Sequence, residues 1–171
     1  MSITANCIGT LGRLGNSLFQ IASCIGIADT LKTDVIFPQW KYSRYFKHPL
    51  PTGFITSEKI NETNFHYDEQ LINSLNPGKD YNLYGYFQSE KYWLHCKEKV
   101  LQQFTFNDET KLKVKHRFKM PLGRPHVAIS VRRGDFVNNS NYFQLPITYY
   151  LNAYYKYFEG YNIIICSDDF S

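Results

Sequence analysis

Residues 126–135, HVAISVRRGD, give the clearest indication of the fold class. Its first six residues are mostly apolar, a pattern typical of a strand inside a parallel sheet. Two arginines follow at once, and then a glycine that allows a tight turn. Ligands of open parallel sheets bind beyond the carboxyl ends of the strands, so we expect Arg132 and Arg133 to lie at a binding site.

A second strand of the same type, YNIIIC at residues 161–166, ends in the sequence SDD. Between the two strands, Pro146 begins a predicted helix. The sequence therefore predicts a β-α-β unit that brings both strand ends to one edge of a sheet. The predicted buried face of the helix comprises Ile147, Tyr150, Leu151, Tyr154 and Phe158.

The chain also opens on a β-α-β pattern, with strands predicted at residues 3–8 and 34–37 around a helix at 16–32. Residues 38–64 have no clean period and are predicted to form a functional surface loop. A further strand is predicted at residues 82–87.

The segment before the HVAISV strand predicts two helices and a boundary. Ser89 is the predicted cap of the first helix, and residues 108–119 form a short solvated helix. The turn PLGRP marks the boundary between a domain of residues 1–121 and one of residues 122–171. The predicted buried face of the first helix comprises Trp93, Cys96, Val100, Leu101 and Phe104.

Composition describes a globular chain of 171 residues with a net charge of +4. The basic residues are scattered, so no nucleic-acid surface is indicated, whereas a basic cleft for a small anionic substrate fits. The four cysteines have no paired spacing and are expected to be buried free thiols. The start of the chain shows no signal peptide and no run spans a membrane, so we expect a cytoplasmic protein, soluble or peripherally membrane-associated.

Neighbouring strand residues point to opposite faces, so the two arginines cannot clamp one ligand together. We expect one guanidinium to grip phosphate oxygens and the other to be held by a carboxylate, with Asp135 the nearest candidate. Gly134 allows the turn between them. The alternative is an ordinary Arg–Asp pair that fastens a loop.

Two further groups are candidates for binding. Gly12, Arg13, Gly15 and Asn16 precede a helix N-terminus that could meet an anion, although a packing turn explains the glycines as well. The spacing matches neither a dinucleotide fingerprint nor a phosphate-binding P-loop. Asp168 and Asp169 could hold a divalent ion, accept hydrogen bonds from a base or ribose, or cap a helix. These two residues are the SDD aspartates.

Five stretches in order closely resemble glycosyltransferase family 11, the galactoside α-1,2-fucosyltransferases. The resemblance implies an α/β, GT-B-like fold of two domains with Rossmann-like parallel sheets and flanking helices. It also implies inverting, metal-independent transfer of L-fucose from GDP-fucose to the 2-hydroxyl of a terminal β-galactoside. The stretches are GRLGNSLFQIA, YGYFQSEKYW, VRRGDF, LPITYY and CSDD.

The resemblance also assigns roles. Arg132 matches the arginine that binds the donor diphosphate, with Arg133 and Asp135 shaping the loop and no cofactor or metal needed. Ser130 stands where the family usually has a histidine that touches the guanine. The expected partners are GDP-fucose and a galactose-terminated glycan. The catalytic base is not readable, and Asp135 and Glu90 are its weak candidates.

Family members continue beyond the SDD sequence. We therefore expect residues 1–121 to form the acceptor side of the cleft, and residues 122–171 to be the start of an incomplete donor domain. The alternative function is a non-catalytic sugar-nucleotide or glycan-binding module. An incomplete second domain is also expected to self-associate through its exposed sheet.

Overall fold

The computed structural model describes residues 1–119, 123–137 and 139–169. The chain divides into two compact units, Met1–Arg117 (the first unit) and Phe118–Ser171 (the second unit). The predicted boundary between residues 121 and 122 lies outside the described residues.

A four-stranded parallel sheet forms the centre of the first unit, in the order β2-β1-β4-β3. Ile3 in β1 pairs with Val35 on one side and with Tyr81 on the other. The predicted α/β class, with parallel strands and flanking helices, is confirmed. The strands are β1 (Ser2–Thr4), β2 (Asp34–Val35), β3 (Glu58–Asn61) and β4 (Tyr81–Tyr84), and the helices are α1 (Leu14–Leu31), α2 (Glu69–Ser74), α3 (Lys97–Gln103) and α4 (Asp108–Arg117).

Helix α1 is the main helix of the first unit and covers the sheet. Ile21, Ile25 and Ala28 follow the three-and-four spacing of one face and are buried, as the sequence predicts. The helix ends where Lys32 takes a left-handed backbone conformation with φ of 54°. Among the described residues, no helix has both the length and the apolar character needed to cross a bilayer.

Two predicted strands end early for a backbone reason. Strand β1 stops at Thr4 because the chain turns at once, with the N–H of Ile8 donating to the carbonyl of Ala5 at 3.1 Å. Strand β4 stops at Tyr84, and the predicted end at Phe87 falls in a loop where Phe87 has a positive φ of 49°, outside the β region.

The segment predicted to be irregular, residues 38–64, contains β3 at the edge of the sheet. The sequence EKIN has one apolar residue, Ile60, and so gives no alternation to recognise. An edge strand buries few side chains, so its sequence needs few apolar residues and shows little alternation of apolar and polar positions.

The helix predicted after Ser89 is broken into 3-10 turns, Glu90–Tyr92 and Leu94–Cys96, before α3 begins. Ser89 does cap, since its Oγ accepts from the N–H of Lys91 at 3.4 Å. Val100 is buried as predicted, but Leu101 is 49% exposed because it lies one residue, about 100°, further round the helix. Helix α4 buries no residue, which confirms the solvated helix.

The second unit is a single β-α-β unit with β5 (His126–Val131), α5 (Ile147–Tyr157) and β6 (Asn162–Ser167). The two strands are parallel, and Ile129 lies opposite Ile165. Helix α5 faces β5 across a groove of about 200 Å³. Tyr150 and Tyr154 line this groove as predicted, whereas Ile147 is exposed and does not belong to the packed face.

The prediction of buried strands in the second unit is wrong. None of the described residues of this unit is fully buried. Ile163 is 45% and Ile165 is 64% exposed, whereas Ile164 between them is half-buried. The single crossover helix covers only one face of the two-stranded sheet. Alternate side chains of each strand point to the other face and therefore stay exposed.

Candidate functional site

The loop after β5 is held by a carboxylate from the end of β6. The Oδ1 atom of Asp168 accepts from the backbone N–H groups of Arg133, at 2.9 Å, and of Gly134, at 3.1 Å. A Cβ at position 134 would lie 2.7 Å from Oδ2 of Asp168. A Cβ at this position would therefore displace the Asp168 carboxylate from its place against the backbone.

Arg132 is fixed by an ion pair and an aromatic ring. Its Nη2 lies 3.1 Å and its Nε 3.3 Å from oxygens of Asp135, and this hydrogen-bonded pair raises the pKa of the guanidinium. The guanidinium carbon lies 4.5 Å from the ring centre of Phe136, which stacks on Tyr142 at 4.0 Å. No sequence pattern points to Tyr142, because only the folded loop brings its ring against Phe136.

The two arginines have different carboxylate partners, and the pairing differs from the prediction. Asp135 was expected to hold the arginine that does not reach the ligand, but it holds Arg132. Residues 134–136 form a 3-10 turn, which places residues three apart on one side. Arg133 instead has its Nε 3.5 Å from Oδ2 of Asp169.

The strand ends of the second unit thus bring together most of the predicted site residues. The backbone N–H groups of Arg133 and Gly134 bind Asp168, the Nε of Arg133 lies near Asp169, and the Nε of Arg132 lies 4.0 Å from Oδ2 of Asp168. Asp135 joins this cluster through its ion pair with Arg132. Ser130 lies on β5, two residues before Arg132, and lines the groove between β5 and α5.

The predicted glycine loop lies in the first unit, where its residues hold a neighbouring loop. Gly12 has φ of +82°, and a Cβ there would lie 2.0 Å from Nδ2 of Asn16. The Oδ1 of Asn16 accepts from Nε2 of Gln88 at 2.7 Å. Arg13 and Gly15 are exposed at the start of α1. The structure therefore joins the GRLGNS stretch to the YGYFQ stretch.

Two more side chains of α1 contact the same loop. Gln20 donates from Nε2 to the carbonyl of Gly85 at 2.9 Å, and Ser23 donates from Oγ to the carbonyl of Phe87 at 3.0 Å. Both side chains are buried. Because α1 and the YGYFQ loop share these hydrogen bonds, the two sequence stretches are needed together.

The two candidates for the catalytic base lie in different units of the chain. Asp135 is paired with Arg132. Glu90 begins a 3-10 turn of the first unit. The assignment of a base therefore stays open.

Among the described residues, one group of three potential metal ligands lies within 4.8 Å, and it is Asp29, His95 and Cys96. Lys99 donates to Asp29 at 3.1 Å and is the main cause of the lowered pKa of this carboxyl. Burial raises the pKa of the Cys96 thiol. The Asp29 carboxylate is already paired with Lys99, and the Cys96 thiol is harder to deprotonate, so both are poor metal ligands. The group is better described as an ion-pair cluster.

The four cysteines are free thiols. Cys7 and Cys24 are buried, and burial raises the pKa of both. Cys96 is half-buried and Cys166 is exposed, which corrects the expectation that all four are buried. Cys166 is exposed because it lies near the end of β6, in the unit that buries no described residue.

Comparison with known proteins finds a family model and a set of relatives. The model described as "Glycosyl transferase family 11" matches residues 6–170. The chain is 28% identical over 142 residues to "Galactoside alpha-(1,2)-fucosyltransferase 2" of Pongo pygmaeus, which covers 77% of this chain and 41% of that protein.

Two cattle proteins give similar values. Identity is 25% over 142 residues to "Galactoside alpha-(1,2)-fucosyltransferase 2" of Bos taurus, with 77% of this chain and 41% of that protein covered. The identity is 26% over 141 residues to "Galactoside 2-alpha-L-fucosyltransferase SEC1" of the same species, and this match covers 76% of this chain and 38% of that protein. The chain spans about two fifths of the length of these relatives.

Proposed function

We propose that this chain, which belongs to glycosyl transferase family 11, transfers L-fucose from GDP-fucose to the 2-hydroxyl of a terminal β-galactoside. The transfer inverts the anomeric configuration and needs neither a cofactor nor a metal. The relatives named above support the fucosyl transfer, since their names describe α-1,2-fucosyltransferases of galactosides. In a GT-B-like fold, residues 1–121 bind the acceptor and residues 122–171 bind the donor.

The observation that carries the proposal is the position of Arg132 at the carboxyl end of β5. It is the place where ligands of parallel sheets bind. Its contacts to Asp135 use Nε and Nη2, so Nη1 is the nitrogen that would meet an oxygen of the donor diphosphate. A cation at this point stabilises the charge that develops on the departing GDP.

The charges around Arg132 make directed hydrogen bonds more important than net charge. Arg132 and Arg133 are offset by Asp135, Asp168 and Asp169, so the cluster is not strongly positive. Affinity for GDP would therefore come from the directed hydrogen bonds of a fixed guanidinium rather than from a diffuse positive field. Binding should depend weakly on salt.

The test is calorimetric titration of GDP into the chain with EDTA present. Arg132→Lys keeps the charge but loses the planar fork, so GDP affinity should fall well beyond tenfold, or about 1.5–3 kcal/mol. Arg124→Lys is the matched control, since Arg124 precedes β5 and should change nothing. An unchanged affinity in Arg132→Lys contradicts the assignment, and strict dependence on magnesium or manganese contradicts metal independence.

A second candidate is a sugar-nucleotide or glycan-binding module without turnover. The exposed sheet face of the second unit favours it, because Ile163 and Ile165 lack the cover that a complete parallel sheet has on both faces. A fucosyl-transfer assay with lactose separates the two. GDP binding without transfer supports the module, and transfer at an ordinary enzymatic rate supports the enzyme.

A further inference from the structure

The loop at residues 85–88 of the first unit holds a strained backbone in a fixed position. Phe87 has φ of +49° although it is not glycine, and its side chain is almost fully buried. A bulky residue rarely adopts a positive φ, and such strain persists where the surroundings determine the conformation. Strain of this kind concentrates at binding sites.

A carboxylate from the neighbouring strand end determines this conformation. Oε2 of Glu62 accepts from the N–H of Tyr86 at 2.6 Å, and Oε1 accepts from the N–H of Phe87 at 2.9 Å. A Cβ at Gly85 would lie 2.3 Å from Cβ of Glu62, so glycine is needed there. Together with the contacts from α1, this carboxylate fixes the loop before any ligand arrives.

The fixed loop supports a pair of aromatic rings, of which Phe65 is exposed and Tyr86 is half-buried. Phe65 is 73% exposed, and its ring is stacked with that of Tyr86 at a centroid distance of 6.3 Å and an interplanar angle of 29°. The two residues follow the adjacent parallel strands β3 and β4. They therefore lie beyond the carboxyl ends of the strands, where open sheets bind ligands.

We propose that Phe65 and Tyr86 form the acceptor subsite, on which the apolar face of the terminal galactose lies. The axial 4-hydroxyl of galactose leaves one ring face rich in C–H groups, and these are attracted to the negative face of an aromatic ring. Gln88, two residues beyond Tyr86, is exposed. Its Nε2 donates to Asn16, and its Oε1 can accept from a sugar hydroxyl. This inference rests on the proposed function, since it names where the galactoside binds.

The chemistry favours a neutral sugar that has a flat apolar face. Methyl β-glucoside has its 4-hydroxyl equatorial and presents a less continuous C–H face than methyl β-galactoside. Ring stacking should therefore favour the galactoside. A guanine base would also stack on such rings, which makes GDP the necessary comparison ligand.

The experiment measures binding of lactose and of GDP to the 171-residue chain by ligand-observed NMR titration. Phe65→Ala should weaken lactose binding about fivefold or more, which is the loss expected for one stacking contact. GDP binding should not change. Phe65→Tyr keeps the ring and should keep the affinity.

The matched control is Phe54→Ala, which removes a ring that is 86% exposed in the same unit. It should leave lactose binding unchanged. Since both side chains are exposed, circular dichroism should show that both variants fold.

Four results overturn the inference while the proposed donor function stands. One is lactose affinity unaltered in Phe65→Ala, another is loss of lactose binding in Phe54→Ala instead, and the third is GDP binding to a wild-type chain that does not bind lactose. Weaker GDP binding in Phe65→Ala would assign the rings to the guanine and overturn it too. Failure of the wild-type chain to bind GDP counts against the proposed function itself.

Discussion

The two units of the chain are stabilised by different means. The first unit has a core of buried apolar side chains from β1, α1 and β4, among them Ile3, Ile21 and Leu83. The second unit buries none of its described residues and fixes its loops with ion pairs and backbone hydrogen bonds. A loop can therefore be fixed locally by charged contacts without a core of buried side chains beneath it.

The largest effect should come from a core substitution in the first unit. Phe37 is completely buried, so Phe37→Ala should lower the free energy of unfolding by about 3–5 kcal/mol. The comparison variant is Ile165→Ala in the second unit, which should cost less than about 1 kcal/mol because most of the side chain already contacts water. Chemical denaturation followed by circular dichroism measures both. Similar losses in the two variants would contradict the contrast between the units.

The next effect concerns the carboxylate that orders the loop of the second unit. Asp168→Ala removes the acceptor of two backbone N–H groups, so GDP affinity should fall about tenfold, the scale of a charge-assisted hydrogen bond. Asp168→Asn retains an oxygen that can accept from both and should have an intermediate affinity. Calorimetry with GDP measures the series.

Gly134→Ala separates a positioning role from direct contact with the donor. It forces the same carboxylate away from the loop, since its Cβ would lie 2.7 Å from Oδ2 of Asp168. If Asp168 acts by positioning the loop, the double variant with Asp168→Ala should bind GDP nearly as well as either single one. Additive losses would instead indicate that Asp168 contacts the donor itself.

A smaller effect concerns self-association through the open sheet face. Ile163→Ser with Ile165→Ser makes this face polar, so the chain should show a lower average mass in light scattering at high concentration. Leu112→Ser with Val114→Ser on α4 is the matched control, since these two side chains are similarly exposed in the first unit. A monodisperse wild-type monomer would show that the face does not associate.

The smallest effect concerns the ion pair of Asp29 with Lys99 on the surface of the first unit. The pair lowers the pKa of Asp29 in the folded state, so its stabilisation is present above the unfolded pKa of about 3.9 and is lost as the pH falls through the lower folded pKa. Asp29→Asn should therefore cost about 0.5 kcal/mol at neutral pH and nothing in strong acid. Denaturation across this pH range measures the difference. It should also shrink at 1 M salt, and a difference that survives both conditions would contradict an electrostatic origin.

Patterns of apolar residues were the most reliable guide in the sequence. They predicted α1, β5 and β6 to within about two residues, because long or continuous apolar patterns reflect burial directly. They failed for β3, whose sequence EKIN lies at a sheet edge, and for the burial of β5 and β6, which depends on what covers the sheet. A strand pattern carries no information on how many strands lie beside it.

The α/β class, the family resemblance and the position of the arginine pair at a strand end could be predicted from the sequence alone. The carboxylate partner of each arginine and the residues that hold the two loops are seen only in the folded structure. Asp168 is 34 residues from Gly134, and Glu62 is 25 residues from Phe87. Such partners are chosen by the parallel pairing of whole strands, which brings their ends together, and the local periodicity of a sequence does not contain that information.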